Sequence, residues 1–224
     1  MTSYAEMIDI LEAELGGVSA AFASLDEQGW LAPTQLVPVE PDLPRWTLFE
    51  LAGHFDISMG LARMLVEGRD PALQPARDRT SFFINPRSET GPVVYRYAYT
   101  MVEGKSPSSM AADLSGSFAR TIASVRSVPP DTIGPGYFAA MRVDEFVASR
   151  IVEAVVHGLD LTLPLGRPTI ATAKGIAVTA AILDDLLARR TVGARPGALS
   201  DDLEWITAAS GRAWFADSRL PLIG

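Results

Sequence analysis

Apolar side chains recur at steps of three and four residues along most of the chain, which is the spacing of amphipathic helices. In the first segment, about 3–31, they form a single stripe that would face a core. Alternating apolar and polar runs are few, so any sheet should be minor. Further helices are predicted at 47–67, 92–102, 107–128, 143–161, 171–189 and 201–210.

Capping residues and prolines define the boundaries of these predicted helices. Thr47 with Glu50 three residues later forms a capping box, and Gly68 is a helix stop, so the second helix should end at Glu67. Residues 69–90 predict a long irregular loop. Four prolines exclude a helix in the loop before Thr47, namely Pro33, Pro38, Pro41 and Pro44. Pro164 stops the helix that begins near residue 143.

Ionisable residues form a line along the helix predicted at 143–161. Steps of four and three place them on one seam, among neighbours that are mostly apolar and require burial. A buried charge without a partner is strongly disfavoured, so something must neutralise the carboxylate and satisfy the histidine. The seam consists of Phe146, Arg150, Glu153, His157 and Asp160.

A divalent metal would satisfy this pattern. Glu153 and His157 are one helical turn apart, and His54 lies on the inward face of the second helix. Zinc accepts imidazole nitrogen and carboxylate oxygen, and catalytic zinc commonly keeps three protein ligands and one open position. Asp160, one turn beyond His157, could orient that ligand.

Simpler interpretations of the same residues stay open at this point. An inward histidine such as His54 is often only a core residue. Glu153 and His157 could form an i,i+4 surface pair, which contributes a few tenths of a kcal/mol. Arg150 could form an ion pair with Glu153 and account for its charge without a metal.

Composition narrows the classes of function. The 224 residues are 48% hydrophobic and 21% charged, which suits a globular core, and there is no cysteine to act as nucleophile, ligand or disulfide. A net charge of −8 argues against nucleic acid as a partner. No signal peptide or membrane span is recognised, so a cytoplasmic location without membrane association is expected.

Two motifs resemble those of a known family. Residues 46–54, WTLFELAGH, resemble the W-T-x-x-[DE]-L-x-x-H opening of the second helix in DinB-like metalloenzymes, specifically the mycothiol-dependent maleylpyruvate isomerase group. Residues 150–161, RIVEAVVHGLDL, resemble the R-x-x-E-x-x-x-H-x-x-D segment of that group. The endings 209–212 and 219–222 resemble its TGR and LPL segments.

The resemblance implies an all-α, DinB-like antiparallel four-helix bundle with a long first crossover and a small C-terminal appendage. The expected division is 1–164 for the bundle and 165–224 for a short helical or irregular region. Zinc, or another divalent metal such as nickel, would be held by His54, Glu153 and His157. Asp160 and Arg150 are then the candidate catalytic residues.

The resemblance also implies a chemistry. In this family a low-molecular-weight thiol such as mycothiol serves as the nucleophile, so a thiol transferase or isomerase acting on an electrophilic substrate is expected. The alternatives are a non-catalytic bundle that binds a small molecule or a partner, and a metal-dependent hydrolase. A homodimer is one option for its assembly. In the namesake enzyme a larger C-terminal domain supplies substrate-binding arginines, for which Arg212 is the candidate here.

Overall fold

The computed structural model describes residues 2–38, 43–84 and 87–223, and the side chains of 87–90 lie outside the description. In this part of the chain helices dominate, as predicted. They are α1 (Tyr4–Ala23), α2 (Glu27–Trp30), α3 (Leu48–Glu67), α4 (Arg87–Val102), α5 (Pro107–Arg126), α6 (Val143–Thr162), α7 (Ala173–Arg190) and α8 (Asp202–Ala209), with strands β1 (Ile133–Pro135) and β2 (Ala140–Arg142).

Four long helices, α1, α3, α5 and α6, form a bundle. Both α1 and α3 pack against α5 and α6, so α1 and α3 lie across the bundle from each other. The chain therefore has to cross the bundle between them, which it does in the long connection predicted from the prolines. Each bundle helix contributes fully buried side chains to one core, for example Leu11, Leu51, Leu114 and Val147.

Local chemistry starts the helices where the sequence predicts. Thr47 accepts a hydrogen bond from the backbone of α3, and the Glu50 carboxylate accepts one from the Thr47 backbone N–H at 2.8 Å. Gly68 ends α3, as expected. Helix α5 begins with Pro107 behind the capping residue Ser106, so the proline nitrogen falls where no intrahelical hydrogen bond is needed.

Two predicted helix boundaries were wrong. The first helix ends at Ala23 rather than Leu31, because Asp26 caps a separate short helix by accepting a hydrogen bond from Gly29 N at 2.7 Å. Helix α4 begins at Arg87 and contains Pro92 in its interior, so this proline does not mark its start. The predictions for Pro41 and for the loop around Pro86 concern positions outside the described residues.

A short hairpin of β1 and β2 leads into α6. The strands pair antiparallel with Gly134 opposite Met141, and Val143 N donates to Thr132 O at 2.8 Å. A Cβ atom at Gly134 would lie 2.0 Å from the Leu65 carbonyl oxygen, so glycine allows the hairpin to approach the end of α3. The hairpin thus fixes the start of α6 relative to α3.

The segment after α6 covers one side of the bundle. Helix α7 packs against α1 and α6, and α8 packs against α7 and α6. The division of the chain at residue 164 stays a prediction, since both parts contribute to the same core. Within the described residues, no helix is both long and apolar enough to span a bilayer.

Candidate metal centre

Three predicted ligands converge where α3 faces α6. His54 Nε2 lies 3.1 Å from His157 Nε2 and 3.6 Å from Glu153 Oε2, and His157 Nε2 lies 3.4 Å from the same oxygen. The three are a group that could hold a metal ion, with ligand atoms all within 4.8 Å of one another. His54 belongs to α3, whereas Glu153 and His157, one helical turn apart, belong to α6.

These separations suit a metal ion. Two ligand atoms about 2.0–2.1 Å from a tetrahedral zinc are about 3.4 Å apart, which is close to all three distances here. Two imidazole nitrogens and one carboxylate oxygen are also a donor set that zinc and similar divalent ions accept. A direct hydrogen bond between the two imidazoles would explain the 3.1 Å between their Nε2 atoms. It would not explain why Glu153 Oε2 lies near both of these nitrogens.

The site is buried but not sealed. The side chains of His54, Glu153 and His157 keep 10%, 17% and 15% of their exposure, whereas Arg150 and Asp160 beside them are almost fully buried. An open metal site needs this combination, because a substrate has to reach the ion while the surroundings hold the ligands.

Asp160 lies where the sequence suggested, one turn beyond His157. Its Oδ2 is 2.8 Å from His157 Nδ1, which leaves the Nε2 atom of that ring toward Glu153 and His54. The Arg212 guanidinium contacts both oxygens of the same carboxylate, at 3.0 and 2.6 Å. Arg212, the candidate substrate-binding arginine, is therefore occupied by an ion pair inside the protein.

Arg150 is buried on the other side of Glu153. Its Nη1 donates to the carbonyl and the hydroxyl of Ser58, at 3.1 and 2.7 Å, and its guanidinium lies 4.7 Å from the ring centres of Phe82 and Phe146. Among the described residues Arg150 forms no direct ion pair. Ser58 instead lies between the two charges, with its hydroxyl 3.4 Å from Glu153 Oε2.

The surroundings set the charge of the ligands. Burial raises the pKa of Glu153, but the nearby imidazoles of His157 and His54 and the charge of Arg150 outweigh it, so this pKa lies well below its usual value. Burial, with His157 nearby, lowers the pKa of His54. At neutral pH Glu153 is thus an anion and His54 a neutral imidazole, the forms that bind metals.

Burial and polar contacts shift the pKa values of His157 and Asp160 in opposite directions. Burial lowers the pKa of His157, but its contacts with Asp160 and Glu153 outweigh this and raise it. Burial raises the pKa of Asp160, but the charge of Arg212 and the contact with His157 lower it to about 2. Asp160 is therefore a carboxylate that accepts a hydrogen bond from His157.

Aromatic rings form one wall around His54. Trp46 lies 5.2 Å from the His54 ring, centre to centre, and stacks on Tyr95 of α4 at 4.6 Å. Tyr95 also accepts a hydrogen bond from Trp46 N at 3.0 Å. Sequence reasoning missed Ser58 and Tyr95 as neighbours of the site. Ser58 carried one signal, a polar residue four positions after His54 on an inward helix face.

The fold is a DinB-like helical bundle, with three candidate metal ligands on two facing helices. The chain belongs to the family described as the mycothiol maleylpyruvate isomerase N-terminal domain, whose model matches residues 11–162. The resemblance inferred from the two motifs is therefore confirmed, and so is the fold that it implied.

Two solved structures have a similar fold. A mycothiol-dependent maleylpyruvate isomerase aligns with a TM-score of 0.54 at 14% identity, over 83% of this chain and 69% of its own. A histidine-to-alanine mutant of such an isomerase aligns with a TM-score of 0.62 at 13% identity, over 94% of this chain and 90% of its own. Both matches extend beyond residue 164. No curated protein matches the chain by sequence.

Proposed function

We propose that the protein is a metal-dependent enzyme that uses a low-molecular-weight thiol such as mycothiol, as a thiol transferase or an isomerase. The observation that carries the proposal is the convergence of His54, Glu153 and His157 within a member of this family. Zinc is the first candidate metal and nickel another. The electrophilic substrate is a small molecule.

We assign a separate role to each residue of this site. His54, Glu153 and His157 would hold the ion, which when bound supplies a positive charge that favours the thiolate form of a thiol. In the neutral His157 ring, Asp160 would hold the hydrogen on Nδ1, which places the lone pair on Nε2. Arg150, proposed as catalytic from the sequence, acts on Glu153 through Ser58.

The nucleophile would be a thiol from outside the chain, as the family relationship implies, and the absence of cysteine from the sequence is consistent with this. A thiolate that adds to an activated double bond gives a carbon–sulfur adduct. The C–S bond forms as the π electron pair of the double bond moves onto the activating group. Rotation about the resulting single bond, return of the electron pair and expulsion of the thiolate give an isomer, whereas protonation of the adduct at carbon by the proton that the thiol released, with the sulfur retained, completes a transfer. The partly exposed ligands leave access for both molecules.

Metal content provides the first test. Purified wild type should contain about one divalent ion per chain, and His54→Ala should contain much less. Saturation with metal at about 100 times the Kd should stabilise the fold by about 2.7 kcal/mol, or roughly 5–10 °C in Tm. Gly60→Ala in the same helix is the control, because a Cβ atom there meets no neighbour within 4 Å.

A thiol panel provides the second test. Mycothiol, bacillithiol and glutathione are compared in thermal shift and turnover assays on metal-loaded and metal-free protein. A thiol-dependent shift and turnover confined to the metal-loaded wild type would support the proposal. Metal-dependent hydrolysis of an ester or amide without any thiol would indicate a hydrolase instead. Absence of both metal and turnover would indicate a non-catalytic binding bundle.

A further inference from the structure

Arg212 connects the C-terminal segment to the candidate metal centre. It lies after α8, yet its side chain is only 6% exposed. Its Nε and Nη2 atoms donate to the two oxygens of Asp160, and its Nη1 donates to Ser210 O at 2.5 Å. Each of its three nitrogens thus donates a hydrogen bond inside the protein.

The partner of Arg212 is itself in contact with a ligand. Asp160 is 1% exposed, and the oxygen that Arg212 contacts at 2.6 Å is the oxygen that lies 2.8 Å from His157 Nδ1. A buried carboxylate needs a compensating charge, and a two-point contact with a guanidinium also fixes its orientation. Arg212 therefore restrains the group that orients His157.

We infer that Arg212 is a positioning residue of the metal centre, acting through Asp160 on His157. The inference rests on the proposed function, since it requires that the site binds a metal. Groups behind a histidine ligand fix its tautomer and ring orientation, and their loss commonly weakens metal binding about 10- to 100-fold. The segment after residue 164 then contributes to the metal centre as well as covering the bundle.

Zinc affinity of the full chain tests the inference, measured by competition with a chromophoric chelator. Arg212→Met should weaken zinc binding by about 10-fold or more. The control is Arg195→Met, which removes an arginine of the same segment that pairs with Asp184 and Asp202, both at 2.7 Å. That ion pair does not contact the centre, so its loss should leave zinc affinity unchanged.

Histidine NMR of the metal-free protein gives a second readout. The chain has two histidines, so labelling with 15N-histidine yields two ring systems, and His54→Ala assigns them. At an alkaline pH, where both imidazoles are neutral, the wild type should show the His157 hydrogen on Nδ1. Arg212→Met should mix the two tautomers, because Asp160 is no longer held in place. Arg195→Met should resemble the wild type.

Each outcome has a separate meaning. If the wild type binds neither zinc nor nickel, the proposed metal centre is wrong. If the wild type binds zinc and Arg212→Met has the same affinity and tautomer, only the positioning role is wrong. Should Arg212→Met fail to fold, Arg212→Lys replaces it, since lysine keeps the charge without the two-point contact. Wild-type affinity in this variant would also contradict the inference.

Discussion

One serine hydroxyl separates the charges of Arg150 and Glu153. Ser58 accepts from Arg150 at 2.7 Å and lies 3.4 Å from Glu153, so the arginine is satisfied mainly by Ser58 and Ser149 rather than by the carboxylate. The direct ion pair that the sequence left open is absent from these described residues. Glu153 therefore has an oxygen between the two histidines that a metal can use.

Glu153→Gln should separate metal binding from structural pairing. The amide keeps the shape of the side chain but removes the charge that attracts the ion, so zinc affinity should fall by more than about 10-fold. Since Arg150 keeps its partners at Ser58, the metal-free mutant should melt close to the metal-free wild type. Both quantities are measured by chelator competition and by calorimetry with and without chelator.

The exposed pair of Glu67 and Arg63 offers a control for this substitution. Its atoms are 3.6 Å apart and the Glu67 side chain is 65% exposed, so Glu67→Gln should change neither zinc affinity nor stability appreciably. A Glu153→Gln protein that is destabilised equally in the presence and absence of metal would argue against Glu153 as a ligand.

Ser58→Ala should show the opposite pattern. It removes a hydrogen-bond acceptor from a guanidinium that is 1% exposed, which should cost about 1–3 kcal/mol of unfolding free energy with or without chelator. Urea unfolding measures the loss. Ser127→Ala, at the exposed end of α5, should stay within about 0.5 kcal/mol of wild type. Equal stability of the two variants would show that Ser58 does not support Arg150.

At the scale of elements, α3 contacts α4 and α6 near His54, in addition to α5. It faces α6 through the candidate ligands, and it approaches α4 through Gly53, where a Cβ atom would lie 2.5 Å from the Ala98 carbonyl oxygen and 3.0 Å from Val102. The residue before His54 is therefore a glycine, because the backbone of α4 occupies the space that a side chain would need.

A pair of glycine substitutions in α3 tests this close approach. Gly53→Ala should destabilise the protein by about 1–3 kcal/mol, because α4 has to move to admit the methyl group. Gly60→Ala has open space and should stabilise by about 0.5–1 kcal/mol, because alanine favours the helix. Urea unfolding distinguishes the two signs. A neutral Gly53→Ala would mean that α4 is not held firmly against α3.

At the scale of the whole molecule, ion pairs and hydrogen bonds connect the loop before α4 and the C-terminal segment to the helices of the fold. The loop before α4 is held by Arg79, which contacts Glu145 at the start of α6 at 2.7 Å, and by Asp78, which contacts Arg189 of α7 at 2.7 Å. Arg190 donates to carbonyl oxygens of Phe83 and Leu222, so α7 holds both this loop and the C-terminal segment.

The ion pair between Arg79 and Glu145 should weaken in acid. Burial raises the pKa of Glu145, but hydrogen bonds from Arg79 outweigh it and place the pKa below the usual 4.5. Because the unfolded chain binds more protons in that range, the stabilisation is present above about pH 4.5 and is lost as pH falls through the lower, folded-state value. Glu145→Gln should remove this part of the pH dependence.

Unfolding free energies at pH 7 and pH 3.5 measure the effect. The difference between the two pH values should be smaller in Glu145→Gln than in wild type. Glu12→Gln serves as the control, since Glu12 forms an exposed pair with Arg126 and its loss should leave the difference nearly unchanged. An identical pH dependence in wild type and Glu145→Gln would show that this carboxylate does not contribute.

The sequence by itself determined the features that depend on near neighbours. The start of α3 follows from Thr47 and Glu50, and the alignment of Glu153, His157 and Asp160 follows from the helical repeat. The two motifs added the family and supported His54 as the third candidate ligand. In α4 local chemistry was insufficient, because Pro92 suggested a helix start and the helix instead continues through it.

Only the tertiary structure decided which distant groups meet. His54 and His157 are 103 positions apart, and Asp160 and Arg212 are 52 apart, so no periodicity relates the members of either pair. The same holds for Ser58 between Arg150 and Glu153, which requires α3 and α6 to pack at one particular register. Side-chain packing of the whole core fixes that register, and it is a property of the folded chain rather than of any local segment.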